Sequence, residues 1–184
     1  EDMHVDHKRL SHEEAMQAIY IKGRDNARTP VQWDSSANAG FSPEGVTTWI
    51  NVNPNYPAIN AEAVLADEDS IFYHYQQLVA LRRGELKDLM VYASFAPVDS
   101  VQVPHDEDEA VYAYTRTGGA DGSPANESLL VISNFTADEL ERDFAVLAEA
   151  RESGARVELV SSNYKDDAGS TLRPYEAKVY HIVR

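Results

Sequence analysis

The sequence predicts an α+β protein in which a helical, loop-rich first half is followed by an antiparallel all-β sandwich. Apolar residues recur at helical spacing up to about residue 84, and from Leu89 onward they alternate with the period of 2 that strands require. A long polar loop interrupts the helical half, and short turns separate the later strands. The 184 residues, of which 43% are hydrophobic, are enough for one or two compact domains.

The composition restricts the partners that the protein can have. With 16 basic and 31 acidic residues the net charge is −15, and neither nucleic acid nor an anionic membrane is an expected partner, because both favour basic surfaces. The chain has no cysteine, which excludes disulfides and thiolate chemistry. It has no apolar run of about 18 residues and no signal-peptide pattern, which favours a cytoplasmic location.

No cofactor or metal is expected. His4 and His7 have no third ligand near them in the sequence, and isolated histidine pairs are usually solvated. The acidic run from His105 to Glu109 (HDEDE) lacks the glycine that a tight calcium loop uses. We therefore interpret this run as a solvated surface loop.

A helix is predicted near the start of the chain. Ser11 and Glu14 have the Ser-x-x-Glu spacing of a capping box, in which each side chain bonds the backbone amide of the other residue. Apolar residues at helical spacing follow, so a helix from about His12 to Lys22 is expected, and Gly23 supplies its C-terminal stop. Residues 1–10 show no periodicity and are expected to form a linker.

Two further helices are predicted before the strands. Asn60 is a suitable N-cap for a short helix from Ala61 to Ala66. A longer helix, at about residues 70–83, is preceded by acidic residues, carries two arginines in its last turn and stops at Gly84. The helix dipole favours this distribution of charge.

Six strands joined by short turns are predicted after the helices. Their bounds are Met90–Phe95, Ala110–Thr117, Ser128–Phe135, Asp143–Leu147, Arg156–Val160 and Ala177–Val183. Short connections between sequential strands favour antiparallel pairing and hence a sandwich. The segment Gly118–Asn126 is expected to be a flexible hairpin connection, and the earlier segment Trp49–Tyr56 is expected to be extended, with Pro54 ending any pairing.

The stretch from Gly23 to Ser42 (GRDNARTPVQWDSSANAGFS) is the candidate functional site. Proline and glycine punctuate it, which predicts an ordered loop. Aspartate and asparagine oxygens accept hydrogen bonds from sugar hydroxyls, arginine donates in a fixed fork, and tryptophan offers a flat apolar face, so neutral carbohydrate is the ligand class that fits. Alternatively, Asp25 and Arg28 form a local ion pair and have no role in binding a ligand.

The same residues carry a resemblance to a known family, that of the oligo-1,6-glucosidases and dextran glucosidases in the α-amylase superfamily. The similar segments are RDNARTPVQWD at 24–34, AGFS at 39–42, WINVNPNY at 49–56, DSIFYHYQQLVALRR at 69–83, LLVISNFT at 129–136 and TLRPYEAKVYHI at 171–182. The resemblance covers most of the chain and is weakest at residues 1–10 and 97–127. Val31 stands where the family usually has methionine, and Thr48 where proline is common.

The resemblance implies a division into two parts. Residues 1–84 would be the C-terminal end of a catalytic (β/α)8 barrel, with the loop 23–42 following its eighth strand and the helix at about 70–83 as its last helix. Residues 85–184 would be the β-sandwich C-terminal domain. Because a complete barrel needs about 250 residues, the expected partner of this chain is the missing N-terminal barrel portion of the parent enzyme.

The resemblance also implies an activity, the hydrolysis of α-1,6 or related α-glucosidic links of short oligosaccharides by an exo-acting, retaining α-glucosidase. The two carboxyl groups that this mechanism needs lie upstream of residue 1 in the family, so no residue here is assigned a catalytic role and the fragment alone is expected to be inactive. Arg28 would bind the non-reducing-end glucose, and Asp25 would orient Arg28. Gln32, Trp33 and Asp34 would shape the loop.

Two alternatives remain open. A non-catalytic carbohydrate-binding or interaction sandwich would normally present an aromatic platform, and the second half has tyrosines but no tryptophan. The same region of a trehalose-6-phosphate hydrolase or a sucrose isomerase would resemble this chain as well. Linkage and acceptor choice in the superfamily are set largely by residues near the nucleophile, which is upstream.

Overall fold

The computed structural model describes residues 4–5, 8–119 and 126–184, with the side chains at 4–5, 8–9 and 26 outside that description. The chain divides into two compact units, residues 1–73 and 74–184. The domain boundary that we predict, after residue 84, stays a prediction. Within the described residues, no helix has the length and apolar character needed to cross a membrane.

The first unit consists of short elements separated by loops. They are strands β1 (His4–Val5) and β2 (Lys8–Arg9), helix α1 (His12–Lys22), two 3₁₀ helices (Arg24–Ala27 and Ala37–Gly40), helix α2 (Ala61–Ala66) and the start of helix α3 (Ile71–Arg83). Strands β1 and β2 pair as an antiparallel ribbon, within the residues predicted to be a linker. All residues of the segment 49–56 are described, and they form no strand, with a turn beginning at Pro54.

The three predicted helices are confirmed, and in α1 and α2 the predicted N-caps are present. The Ser11 hydroxyl accepts a hydrogen bond from the Glu14 amide at 3.2 Å, and the Glu14 carboxylate accepts one from the Ser11 amide at 2.8 Å. Both halves of the capping box are therefore present. In α2, the Asn60 side chain accepts the Ala63 amide at 2.8 Å. Each cap satisfies backbone donors that a helix start would otherwise leave unpaired.

The second unit is built on a five-stranded antiparallel sheet. Its further elements are α4 (Lys87–Val91), β3 (Ser94–Pro97), β4 (Val111–Thr117), β5 (Glu127–Asn134), β6 (Leu140–Glu141), α5 (Ala145–Glu152), β7 (Arg156–Ser162), β8 (Thr171–Leu172) and β9 (Ala177–Val183). The strand order is β3-β4-β5-β9-β7, and β6 pairs with β8 as a separate ribbon. The fold class is confirmed as mixed helix and strand with an antiparallel sheet.

Two strand predictions are wrong. The segment Met90–Phe95 begins in helix α4 and reaches strand β3 only at Ser94, and Asp143–Leu147 leads into helix α5. Short apolar runs fit either period, and here burial decides, because Leu147 and Ala150, three residues apart, are both buried on the same side of α5. The predicted hairpin connection Gly118–Asn126 lies mostly outside the described residues.

Each face of the sheet has its own apolar core. On one face, α5 and the β6–β8 ribbon pack on the sheet, and the buried residues are Val111, Ala113, Leu130, Ile132, Phe144, Leu147, Ala150, Leu172, Tyr180 and Ile182. On the other face, α4 and the residues on either side of it cover part of the sheet. The buried residues there are Leu86, Leu89, Ala93 and Leu129. Burying one large aliphatic side chain contributes about 1.5–3 kcal/mol, so these clusters hold the unit together.

A buried lysine lies beneath the ribbon. The side chain of Lys178 is fully buried, and its ammonium donates to Asp167 at 3.2 Å and to the carbonyls of Gly169 and Thr171 at 2.9 and 3.1 Å. The carboxylate of Glu176, also fully buried, lies 3.6 Å from the same ammonium. Because a buried charge is costly without a partner, the loop at 167–171 is held in place by the lysine that it surrounds.

The carboxylates beside Lys178 stay ionised, although Glu176 is fully buried and Asp167 is partly shielded from solvent. Burial opposes the charge on Glu176, but hydrogen bonds from the Arg173 side chain and backbone amide outweigh it and lower the pKa of Glu176 below 4.5. Burial also opposes the charge on Asp167, and the bonds that it accepts, first from the Tyr180 hydroxyl, lower its pKa below 3.8. The stability that these carboxylates contribute is therefore present at neutral pH and lost as the pH falls through their lowered values.

We predict that Lys178→Met lowers the free energy of unfolding by about 1–3 kcal/mol at pH 7, because it leaves the carbonyls of Gly169 and Thr171 without their donor and removes one of the two cations beside buried Glu176. The deficit should shrink below about pH 4, where the carboxylates take up protons in the variant and need no counter-charge. Urea unfolding at pH 7 and below about pH 4 measures the loss of stability. The control is Arg156→Met, whose exposed pair with Glu158 contributes about 0–1 kcal/mol. Equal losses in the two variants would contradict the role of the buried lysine.

Candidate functional site

The polar loop is fixed at its centre by residues 32–34. The carbonyls of Gln32 and Trp33 accept the amides of Ala61 and Glu62 at 2.9 and 3.0 Å, at the start of α2. The Gln32 side-chain amide donates to Asn55 at 3.0 Å and to the carbonyl of Ile59. Gln32 therefore joins the loop to the segment before α2 through both its backbone and its side chain.

A left-handed turn closes the second half of the loop. Asn38, Ala39 and Gly40 have φ values of 54°, 56° and 65°, and the Ala39 carbonyl accepts the amide of Trp33 at 2.8 Å and that of Asp34 at 3.3 Å. A left-handed conformation costs about 1–2 kcal/mol for a residue with a side chain. Ala39 is nevertheless 0% exposed, so packing maintains the strained turn.

Side chains on both sides of this turn stabilise it. The Asn38 amide donates to the carbonyls of Pro43 and Val46 at 3.0 and 2.9 Å. The Asp34 carboxylate accepts the hydroxyl of Ser36 and, at 2.8 Å, its amide, and these bonds lower the pKa of Asp34. Asp34 also lies against Gly40, where a Cβ atom would be 2.5 Å from a carboxylate oxygen. Glycine at this position is thus needed both for its φ angle and for space.

The charged residues Asp25 and Arg28 lie on the other arm of the loop. Asp25 belongs to the first 3₁₀ helix, Arg28 follows it, and the Arg28 amide donates to the Asp25 carbonyl at 3.0 Å. Both side chains are exposed, and among the described residues no ion pair joins them. The Trp33 side chain is 54% exposed. The loop thus offers a guanidinium, a carboxylate and a partly exposed indole.

This set of groups can bind a hydroxylated ligand. A guanidinium donates in a fixed geometry, and a carboxylate and an indole face complement hydroxyls and the apolar side of a sugar ring. The sequence alone did not identify Asn38 or Asn55 as part of the structure that holds the loop. Asn38 had a local signal, because asparagine followed closely by glycine favours left-handed turns, whereas the contact of Asn55 with Gln32 spans 23 positions.

Comparisons with known proteins agree with this fold. The family model described as the catalytic domain of α-amylase matches residues 1–92. The oligo-1,6-glucosidase of Bacillus cereus is 42% identical over 176 residues, which are 92% of this chain and 28% of that protein. The trehalose-6-phosphate hydrolase of Bacillus subtilis is 35% identical, over 96% of this chain and 29% of that protein.

A solved structure is similar over nearly the whole chain. It is that of a mutant trehalose-6-phosphate hydrolase from Bacillus licheniformis, with a TM-score of 0.75 and 36% sequence identity, covering 95% of this chain and 29% of that one. The match to the catalytic-domain model over half of the sequence shows that the chain belongs to the α-amylase family. It spans less than a third of the length of these relatives and corresponds to their C-terminal part.

We predict that Gly40→Ala destabilises the loop more than Gly45→Ala does. Both glycines have positive φ, 65° and 82°, so both substitutions incur the cost of a left-handed alanine. Only at position 40 does the added methyl meet Asp34, and this overpacking adds about 1–3 kcal/mol. The measurement is urea unfolding followed by tryptophan fluorescence, since Trp33 reports on this loop. If the two variants lose equal stability, the close approach of Gly40 to Asp34 does not constrain the loop.

Proposed function

We propose that this chain is the C-terminal portion of an exo-acting α-glucosidase that hydrolyses α-1,6 or related α-glucosidic links of short oligosaccharides with retention of configuration. The observation that carries the proposal is the 42% identity to an oligo-1,6-glucosidase over 92% of the chain. The catalytic carboxyl pair belongs, in this proposal, to upstream sequence. Residues 1–84 are the end of the catalytic barrel and residues 85–184 are the C-terminal domain. A cytoplasmic location stays a prediction.

In this proposal the loop binds the terminal glucose. Arg28 donates hydrogen bonds to hydroxyls of the non-reducing-end glucose. Asp25, whose carbonyl accepts a hydrogen bond from the Arg28 amide, orients Arg28. The hydrogen bonds of Gln32 and Asp34 support their assignment as residues that shape the loop, and the pairing of the Trp33 backbone supports the same role for Trp33. The exposure of both Arg28 and Asp25 leaves them available to a ligand.

A trehalose-6-phosphate hydrolase is the second candidate. The similarity to a solved enzyme of that kind, with a TM-score of 0.75, favours it. The two candidates differ in whether the substrate carries a phosphate. Hydrolysis of isomaltose and of trehalose 6-phosphate by the longer enzyme, compared at equal concentration, decides between them.

We predict that the 184-residue chain alone does not hydrolyse α-glucosides. The reaction needs a nucleophile and a general acid, and in the proposal both are supplied by sequence that the chain does not contain. Release of nitrophenol from a nitrophenyl α-glucoside measures the hydrolytic activity of the chain. Activity that stays with the chain through further purification would place the carboxyl pair inside these 184 residues and would contradict the proposal.

For the longer enzyme that contains this chain, we predict that Arg28→Ala lowers kcat/KM roughly ten- to hundredfold. The variant removes a charge-assisted hydrogen bond of about 1.5–3 kcal/mol, and each 1.4 kcal/mol corresponds to about a factor of ten. Arg28→Lys should restore little, because an ammonium cannot reproduce the two-pronged guanidinium. Kinetics on isomaltose and the thermal unfolding midpoint are measured together.

The paired measurement separates binding from loop structure. If Arg28 acts only on loop structure, the unfolding midpoint falls while kcat/KM per folded molecule stays near that of the wild type. Such a result would remove Arg28 from the sugar site. An unchanged midpoint with the expected loss of kcat/KM supports the contact with glucose.

A further inference from the structure

Residues 47–52, which we call the strap, are flanked on both sides by contacts with the polar loop. Before the strap, the carbonyl of Val46 accepts a hydrogen bond from the Asn38 side chain at 2.9 Å. Beyond it, the side-chain oxygen of Asn55 accepts one from the Gln32 side chain at 3.0 Å. Among the residues that the structure describes, those of the strap take part in no hydrogen bond. The loop therefore fixes the two ends of the strap, and packing alone holds its middle.

The strap presents every second side chain to solvent. Its half-buried residues are Thr48, Ile50 and Val52, and its exposed residues are Thr47, Trp49 and Asn51. Trp49 lies where the backbone bends and is 98% exposed, the largest exposed fraction among the large apolar side chains of the described residues. An indole between a hydroxyl and an amide combines a flat apolar face with hydrogen-bonding groups, and sugars bind to surfaces of this kind.

The exposed indole lies near the loop. Trp49 is three residues beyond Val46, and three residues span at most about 11 Å. Val46 is bonded to Asn38, in the left-handed turn of the loop, whereas Arg28 is on the other arm. Arg28 and Trp49 are thus connected to opposite arms of the loop, which suits them to different units of an oligosaccharide bound along it.

We propose that Trp49 is a substrate-binding residue whose ring stacks on the third glucose unit of an oligosaccharide, counted from the unit at Arg28. Tryptophan is highly buried on average, and at 98% exposure Trp49 has no protein cover in the described part of the chain. An apolar protein surface over Trp49 would leave the exposed hydroxyl of Thr47 and amide of Asn51 unpaired, whereas sugar hydroxyls pair with both. Trp49 therefore favours substrates of three or more units over disaccharides. The inference rests on the proposed function and adds a substrate length to it.

Kinetics of the longer enzyme on substrates of two lengths test the stacking contact. Trp49→Ala should lower kcat/KM on isomaltotriose roughly three- to tenfold, and that on isomaltose less than about twofold. The loss should be in KM, because a contact with a unit remote from the scissile bond is made equally in the ground state and the transition state. Trp49→Phe keeps a ring and should retain most of the preference. Phe135→Ala, which removes an exposed ring of the second unit, is the control and should change neither value.

Hydroxyl-radical footprinting of the longer enzyme, with site-resolved mass spectrometry, measures the cover over Trp49 without an activity assay. In the free enzyme Trp49 should be oxidised rapidly. A non-hydrolysable thio-analogue of isomaltotriose should protect it, and the corresponding analogue of isomaltose should not. Trp33, whose amide is bonded to the Ala39 carbonyl at the centre of the loop, is the internal reference and should respond equally to the two sugars.

Three outcomes would overturn this proposal. Slow oxidation of Trp49 in the free longer enzyme would show that protein covers it. Equal protection by the two analogues, or an equal loss of kcat/KM on the two substrates in Trp49→Ala, would remove Trp49 from the third unit. The footprint also separates this inference from the proposed function. Protection of Trp49 by the longer analogue in an enzyme that hydrolyses neither sugar would refute the proposed function alone, and hydrolysis without protection would refute this inference alone.

Discussion

The amide side chain of Gln32 is the contact on which the polar loop depends. A loop of twenty residues between Gly23 and Ser42 has few regular hydrogen bonds of its own, and buried or half-buried backbone groups have to find partners. The Gln32 side-chain amide donates to the backbone carbonyl of Ile59 and to the side-chain oxygen of Asn55, while the Gln32 carbonyl accepts a hydrogen bond from the amide of Ala61 at the start of α2. With residues 32–34 fixed, the left-handed turn at 38–40 can close on the Trp33 and Asp34 amides, and Asp25 and Arg28 are presented from an anchored arm.

The second unit is stabilised by strand pairing and by buried apolar side chains. Its central strands β5 and β9 pair over seven residues, from Glu127 opposite Val183 to Ser133 opposite Ala177, and both faces carry buried aliphatic side chains. Lys178 is on β9 and points toward the ribbon side, where carboxylates and carbonyls surround it. Such a buried charge contributes specificity to one arrangement of the loop rather than large net stability, because desolvation offsets much of the attraction.

The sequence was sufficient where local rules decide the structure. The capping box at Ser11 and Glu14, the Asn60 cap and the strands β4, β5 and β9 follow from spacing and alternation within a few residues. It was insufficient where distant partners decide. Helix α5 forms because Phe144 and Leu147 reach the core of the sheet, and the left-handed Ala39 exists because of the contacts around it. The family resemblance pointed to the polar loop, but the bond of Asn55 with Gln32 that holds it appears only in three dimensions.

In the proposed function, the polar loop at 23–42 is already ordered before sugar binds to it. Hydrogen exchange of the longer enzyme, with and without a non-hydrolysable thio-analogue of isomaltose, measures this directly. We expect the amides of Trp33, Ala61 and Glu62 to exchange slowly without ligand, and the ligand to add protection chiefly at residues 24–28. Fast exchange of those three amides in the free enzyme, or no change at residues 24–28 under saturating ligand, would contradict it.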